Sequence, residues 1–398
     1  MGGAVPADRL RRLGAQGAVR WDRLRAGLLC ATAALLPAGY VLAAGVPLLL
    51  VWFAECAALR RPPWERTPVD GILALWVGWV VLSALASPHR DLALGNALLL
   101  ALGATAGLAP LTGTLRDQEG FRRPLYWAWA AGGALGGLWV VLRVVQGAPR
   151  GDLPQLGWNA AGTVLAAASV LGLALAGSGG RRALLLGAAA QALALAGLVG
   201  TLSRGAWLGW AAGVLCLAPW LGARARYAVF GAAAAVTLAV AAHPGLRDRA
   251  LSALEPERNQ DRLMLWRASV RMLADHPWFG VGFGAFVREY PKYRVPEDPN
   301  VAPPFAHNLP LSLAVETGLP GVALFAALVV RVVQLGLAHA TRAPPREALL
   351  QGAGLASLAA VMVHQLVDGT LQSFHLGFAF WFLVACVLPG LREEGRRT

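Results

Sequence analysis

A histidine, an amide and a carboxylate stand close together in Ala306-His307-Asn308-Leu309-Pro310, continuing to Glu316-Thr317-Gly318-Leu319-Pro320-Gly321. Those side-chain types can move a proton and hold an anion. Asn308 is suited to cap a helix whose first turn tolerates Pro310, and Gly318 followed by Pro320 should end that helix before the next apolar run. His307 then lies at the helix's positive end. The dipole there disfavours imidazolium, leaving a neutral imidazole able to accept a proton, with free N–H groups facing any bound anion. Glu316 comes about two and a half turns later, so it points to the opposite face. It should orient a neighbouring segment, an arginine among the possible partners.

Two cations are out of place. Arg204, in Thr201-Leu202-Ser203-Arg204-Gly205-Ala206-Trp207, lies at a tight junction of two apolar runs, with Ser203 beside it at the start of a helix whose N–H groups can also meet an anion. Arg262 lies in an amphipathic stretch from Glu255 to Leu273. At ~100° per residue, Leu263, Trp266, Val270 and Leu273 share one face and Arg267, Arg271 and Asp275 the other. Arg262 falls among the apolar set. A guanidinium there needs an anionic partner, and its planar fork fits a phosphate. Arg143 is a secondary candidate ligand. Gly280, Gly282 and Gly284 resemble a nucleotide loop only superficially, since no strand precedes a helix there. Residues 291–304, rich in proline and charge, read as a mobile flap.

These residues must be positioned by membrane helices. Of 398 residues 57% are hydrophobic and only 14% charged, more apolar surface than the chain's own polar groups can cover. The expected fold is all-α and polytopic. Apolar runs at 26–44, 46–59, 69–86, 91–110, 125–146, 157–177, 182–200, 205–221, 226–242, 319–340, 347–366 and 372–389 give about twelve spans. Between the ninth and tenth lies the one long loop, expected to contain short amphipathic helices. Three regions follow: nine spans in 1–242, an external loop in 243–318 and three spans in 319–398.

The arginines test this arrangement independently. Arg9, Arg11, Arg12, Arg20, Arg23 and Arg25 precede the first run, and Arg60/Arg61/Arg66, Arg116/Arg122/Arg123, Arg181/Arg182, Arg224/Arg226, Arg342/Arg346 and Arg392/Arg396/Arg397 fall at alternate junctions. Twelve spans place all of them on one side, which makes both termini cytoplasmic, the first span an uncleaved anchor and the long loop external. The net charge of +13 therefore reports topology and anionic lipid head groups rather than nucleic acid. Cys30, Cys56, Cys216 and Cys386 have no metal-ligand spacing and read as small packing residues.

Ser203-Arg204-Gly205-Ala206-Trp207, Asp261-Arg262-Leu263 with Trp266, Asp275-His276-Pro277-Trp278-Phe279-Gly280-Val281-Gly282, and His307-Asn308 with Leu311, Glu316, Gly318 and Gly321, in that order, together resemble the O-antigen ligase and O-antigen polymerase superfamily. The resemblance implies a GT-C-type inverting glycosyltransferase of the bacterial inner membrane. Such an enzyme uses undecaprenyl-pyrophosphate-linked glycan on the periplasmic side, with no metal, nucleotide or other cofactor. It also implies Arg204 and Arg262 as diphosphate ligands and His307 as the catalytic residue. The acceptor would be lipid A core oligosaccharide for a ligase, a second lipid-linked repeat for a polymerase, or a protein. A lipid or glycan transporter is the competing class, but it calls for internal repeats and midplane charges. Here Arg143, Arg204, His364, Asp368 and His375 gather toward the ends of their runs.

Overall fold

The computed structural model describes residues 7–64, 66–252, 255–298 and 301–388. Arg392, Arg396 and Arg397 lie outside them. Among the described residues the chain is helical: α1 (Ala7–Leu35), α2 (Val41–Leu59), α3 (Asp70–Ala86), α4 (Arg90–Asp117), α5 (Arg122–Val145), α6 (Trp158–Gly177), α7 (Arg181–Gly200) and α8 (Arg204–Leu217). There follow α9 (Ala223–Ala242), α10 (Pro244–Leu251), α11 (Gln260–Asp275), α12 (Phe286–Glu289), α13 (Leu309–Ala340), α14 (Pro345–Gln365) and α15 (Phe374–Val387).

Apart from 26–44, which runs from the end of α1 across the turn at 36–40 into α2, each apolar run of the sequence overlaps one of these helices. Among the described residues six of them, α4, α5, α6, α7, α13 and α14, are long and apolar enough to cross a membrane, and shorter apolar helices cover Gly45–Leu59, Asp70–Ala86 and His375–Val387. Length explains part of the difference from twelve. With 14 residues each, α8 and α15 reach only about 21 Å, short of a hydrocarbon layer of about 30 Å.

The core is built on α6 and α14, whose residues from Ala161 to Leu175 and from Leu349 to Val361 are nearly all buried. Small side chains permit this density. Gly197 of α7 meets the Gly137 backbone of α5 so closely that a Cβ would collide with it.

Arg25 departs from its expected place at the head groups. It is 3% exposed and donates to Glu55 at 2.5 Å, across α1 and α2. An ion pair explains why a charge can sit at that depth. Cys216 is exposed rather than packed, whereas Cys56 and Cys386 are buried.

The segment between α9 and α13 is fastened to the bundle rather than floating above it. Ser83 donates to the carbonyls of Phe279 (2.6 Å) and Glu316 (3.0 Å), Ser87 to that of Val281 (2.5 Å), and Trp79 Nε1 to that of Thr317 (2.8 Å). Val281 and Gly282 donate backbone N–H groups to Val315 and Glu316, both at 2.9 Å. The glycines serve this close docking. Gly280 has φ +66°, and a Cβ on it would strike the Glu316 backbone.

Two expectations for this segment need correction. The interior face of α11 carries Leu265, Ala268, Ser269 and Met272, while Leu263 and Val270 are 36% and 56% exposed. Periodicity followed the bulky residues alone, whereas the face packed inward mixes Leu265 and Met272 with the small Ala268 and Ser269. The expected flap is tied down over its described part. Arg271 donates to the Tyr293 carbonyl (2.6 Å), Tyr293 to Asp275 (2.7 Å) and Tyr290 to Asp298.

Candidate active site

Several junctions meet at one end of the bundle: α5–α6, α7–α8, α14–α15 and the segment that leads into α13. His307 stands where that segment enters α13. Asn308 caps the helix as the sequence predicts, accepting from the Leu311 N–H at 2.9 Å, and its amide donates to the Leu366 carbonyl at 2.8 Å. His307 itself has φ 51°, a left-handed conformation uncommon outside glycine and indicative of a position held by its surroundings. Trp266 Nε1 donates to the Ala306 carbonyl at 2.9 Å, and the Phe305 ring stands edge-on to the imidazole with centroids 4.9 Å apart. The helix then breaks at Gly318 (φ 73°, ψ 176°) before continuing to Ala340.

The imidazole has a carboxylate behind it. His307 Nδ1 lies 3.4 Å from Asp368 Oδ1, and Asp368 is 1% exposed. His307 Nδ1 and Asp368 Oδ2 are both shielded from solvent and make no hydrogen bond of good geometry, so the pair is in contact but not closed. The opposite nitrogen, Nε2, is on the open side of the ring. Burial would raise the Asp368 pKa, but the adjoining imidazoles of His307 and His364 and the N–H of Gly369 outweigh it, and the carboxyl is held below its ordinary range. It remains an anion able to orient an Nδ1–H and to stabilise a charged imidazole.

Asp368 continues into a polar chain. Its Oδ2 is 3.9 Å from His364 Nε2, His364 Nδ1 is 2.8 Å from Thr163 Oγ1, and His364 Nε2 is 3.5 Å from Ser203 Oγ. Ser203 donates to Asn159 at 2.9 Å and precedes the first residue of α8, Arg204. A contact path thus runs from His307 through Asp368, His364 and Ser203 to Arg204. It closes from the other side through Ala306 and Trp266, one turn along α11 from Arg262. Arg204, Arg262, His307, Ser203 and Asn308 are therefore brought together.

Arg204 donates to Ser252 Oγ and Asn259 Oδ1, both at 2.8 Å. These contacts help to fix the guanidinium. Arg249 donates to the Leu202 carbonyl at 3.1 Å, and Gly151, next to Arg150, donates to the Gly200 carbonyl at 3.0 Å. Arg249 is thereby tied to the turn that ends in Arg204, while the Arg150 guanidinium lies over the Trp158 ring, 5.3 Å from its centroid. Burial first, and then the charges of Arg150, Arg204 and Arg262, push the Arg249 pKa down to about 10. Like charges crowded in this way, and still ionised at neutral pH, attract anions.

Two expected site residues have other partners among their described contacts. Arg143 Nε is 3.7 Å from Asp152 Oδ1 and both side chains are substantially exposed, so a local carboxylate already serves it. Glu316 is buried, accepts from Gln372 at 2.6 Å and from the Gly284 and Phe286 N–H groups, and touches no arginine among its described contacts. It holds the 280–286 docking segment. The sequence reading missed Asp368 and His364 as partners of His307. Their one-turn spacing at the end of an apolar helix was the available signal, but only tertiary contact joins them to residue 307.

A groove completes the region. A mainly apolar cavity of about 740 Å³ separates α9 from α6, α7 and α8, running from Ala176 and Leu221 to Val199 and Leu246, the last one turn from Arg249.

A comparison with the curated proteins finds no match. The family model described as O-antigen ligase matches residues 189–326, a stretch that contains Ser203, Arg204, Arg249, Arg262, His307 and Asn308. This match, over about a third of the chain, supports its resemblance to the O-antigen ligase and polymerase superfamily.

Proposed function

We propose that the protein is an O-antigen ligase-like inverting glycosyltransferase of the GT-C type in the bacterial inner membrane. It moves a glycan from undecaprenyl pyrophosphate to a hydroxyl of lipid A core oligosaccharide on the periplasmic side. The observation that carries this reading is the joining of His307, backed by Asp368, to a group of arginines at one end of the bundle. Attack on an anomeric carbon linked to diphosphate builds negative charge on the departing group, and Arg204 and Arg262 stabilise it, assisted by Arg249 and Arg150. His307 Nε2 takes the acceptor's proton while Asp368 steadies the resulting imidazolium through Nδ1. The bond to diphosphate supplies the driving force. The apolar groove that ends beside Arg249 suits a polyprenyl chain, which favours a lipid-linked donor over a soluble one.

A polymerase or a protein O-oligosaccharyltransferase would use the same donor chemistry with another acceptor. Reconstituted protein supplied with lipid-linked glycan and, in turn, lipid A core, a second lipid-linked repeat or a peptide tests the assignment. Transfer to lipid A core alone is the expected result, and transfer to none of the three would refute it.

A further inference from the structure

The opposite end of the bundle holds a second basic cavity, of about 920 Å³, where α5, α7 and α14 begin. Along α6 or α14, a helix of 20 or 21 residues, it is about 30 Å from the His307 end. Each of the three helices contributes the same pair of side chains. Arg123 lies one turn before Trp127 on α5, Arg182 one turn before Leu186 on α7, and Arg346 one turn before Leu349 on α14. Side chains three or four residues apart share a helix face, so the cavity has a cationic rim above an apolar, aromatic layer. Its described lining residues include no carboxylate. Arg123 Nε is shielded from solvent without a hydrogen-bond partner.

We infer that this cavity binds the phosphate of an anionic phospholipid, with the lipid's glycerol and proximal acyl carbons on the Trp127, Leu186 and Leu349 layer. A soluble phosphate would satisfy the rim but leave that layer wet. Leu184, Leu185 and Leu186 are each more than half exposed on α7, giving the acyl chains a continuous path to the surrounding bilayer. Basic pockets between helix ends favour anionic head groups in this way. The site is independent of the glycosyltransferase reading and would persist in a His307→Ala protein.

The test is lipid binding by the detergent-purified full chain, measured by native mass spectrometry and thermal stabilisation with phosphatidylglycerol, phosphatidylcholine or inorganic phosphate. Phosphatidylglycerol alone should bind and stabilise. Arg123→Gln/Arg182→Gln/Arg346→Gln should weaken it roughly 100-fold, and the single exposed-site variants Arg182→Gln and Arg346→Gln keep the test available if the triple variant does not fold. Arg61→Gln, at an exposed arginine outside the cavity, should bind as the parent does. Equal binding of the two lipids, full stabilisation by inorganic phosphate, or equal loss in Arg61→Gln would each overturn the assignment.

Discussion

In the proposed reaction His307 is the base and Asp368 its support, and the two positions should fail differently. Replacing His307 by Ala removes the proton acceptor, with an expected loss of roughly 10²- to 10⁴-fold in turnover and little change in donor binding. Asp368→Asn should lower kcat more than it changes donor KM. It should also alter stability against pH. A carboxyl whose folded pKa is depressed contributes stability above the ordinary aspartate value of about 3.9, and that contribution disappears as pH falls through the folded pKa. Thermal unfolding of the parent should therefore lose stability on acidification through that window, and Asp368→Asn should lose less. At Arg249 the expected effect is on capture. Arg249→Gln should raise donor KM several-fold, because it removes one cation from the cluster, while kcat measured at saturating donor stays close to the parent's. Arg204, Arg262 and His307 were legible because a cation or imidazole beside an apolar face needs explanation. Arg249 and Arg150 were not, since each sits in a polar stretch where charge is ordinary and only folding sets them against the turn at residues 200–204.

At the scale of elements, the start of α13 fixes the imidazole. Asn308→Ala removes the cap and the tie to Leu366, which should cost about 1 kcal/mol from the cap alone; it is read as a lower Tm with a larger proportional loss of transfer. Gly318 is more demanding. Its φ of 73° is unfavourable for a side chain, and a Cβ would collide with the Trp278 backbone, so Gly318→Ala should lower Tm beyond the Asn308→Ala effect. The cap and the break were readable from Asn308, Gly318 and Pro320 because local backbone chemistry governs both. The face of α11 was misjudged for the opposite reason. Its inward residues Ala268 and Ser269 are small, and what makes them interior is the partner helix rather than their own hydrophobicity.

Across the whole molecule, the junctions that carry polar chemistry collect at one end and those rich in arginine supply the other. The helices themselves were evident from apolar run length, but their number as spans was not, because α8 and α15 are apolar and too short to cross alone. The buried Arg25–Glu55 pair was also hidden, since a basic residue ahead of an apolar run reads as a head-group contact until a carboxylate is found opposite it. Cysteines introduced at exposed Asp248 and Arg182, in a chain with its native cysteines replaced, test the two-ended arrangement. An impermeant thiol reagent added to intact cells with a permeable outer membrane should label Asp248→Cys and leave Arg182→Cys untouched until the inner membrane is opened. The most direct test of the chemistry compares purified parent and His307→Ala proteins for donor binding and for glycan transfer from undecaprenyl pyrophosphate. Retained binding with transfer reduced at least ~100-fold is the predicted result, whereas transfer at the parent rate by His307→Ala would contradict the account.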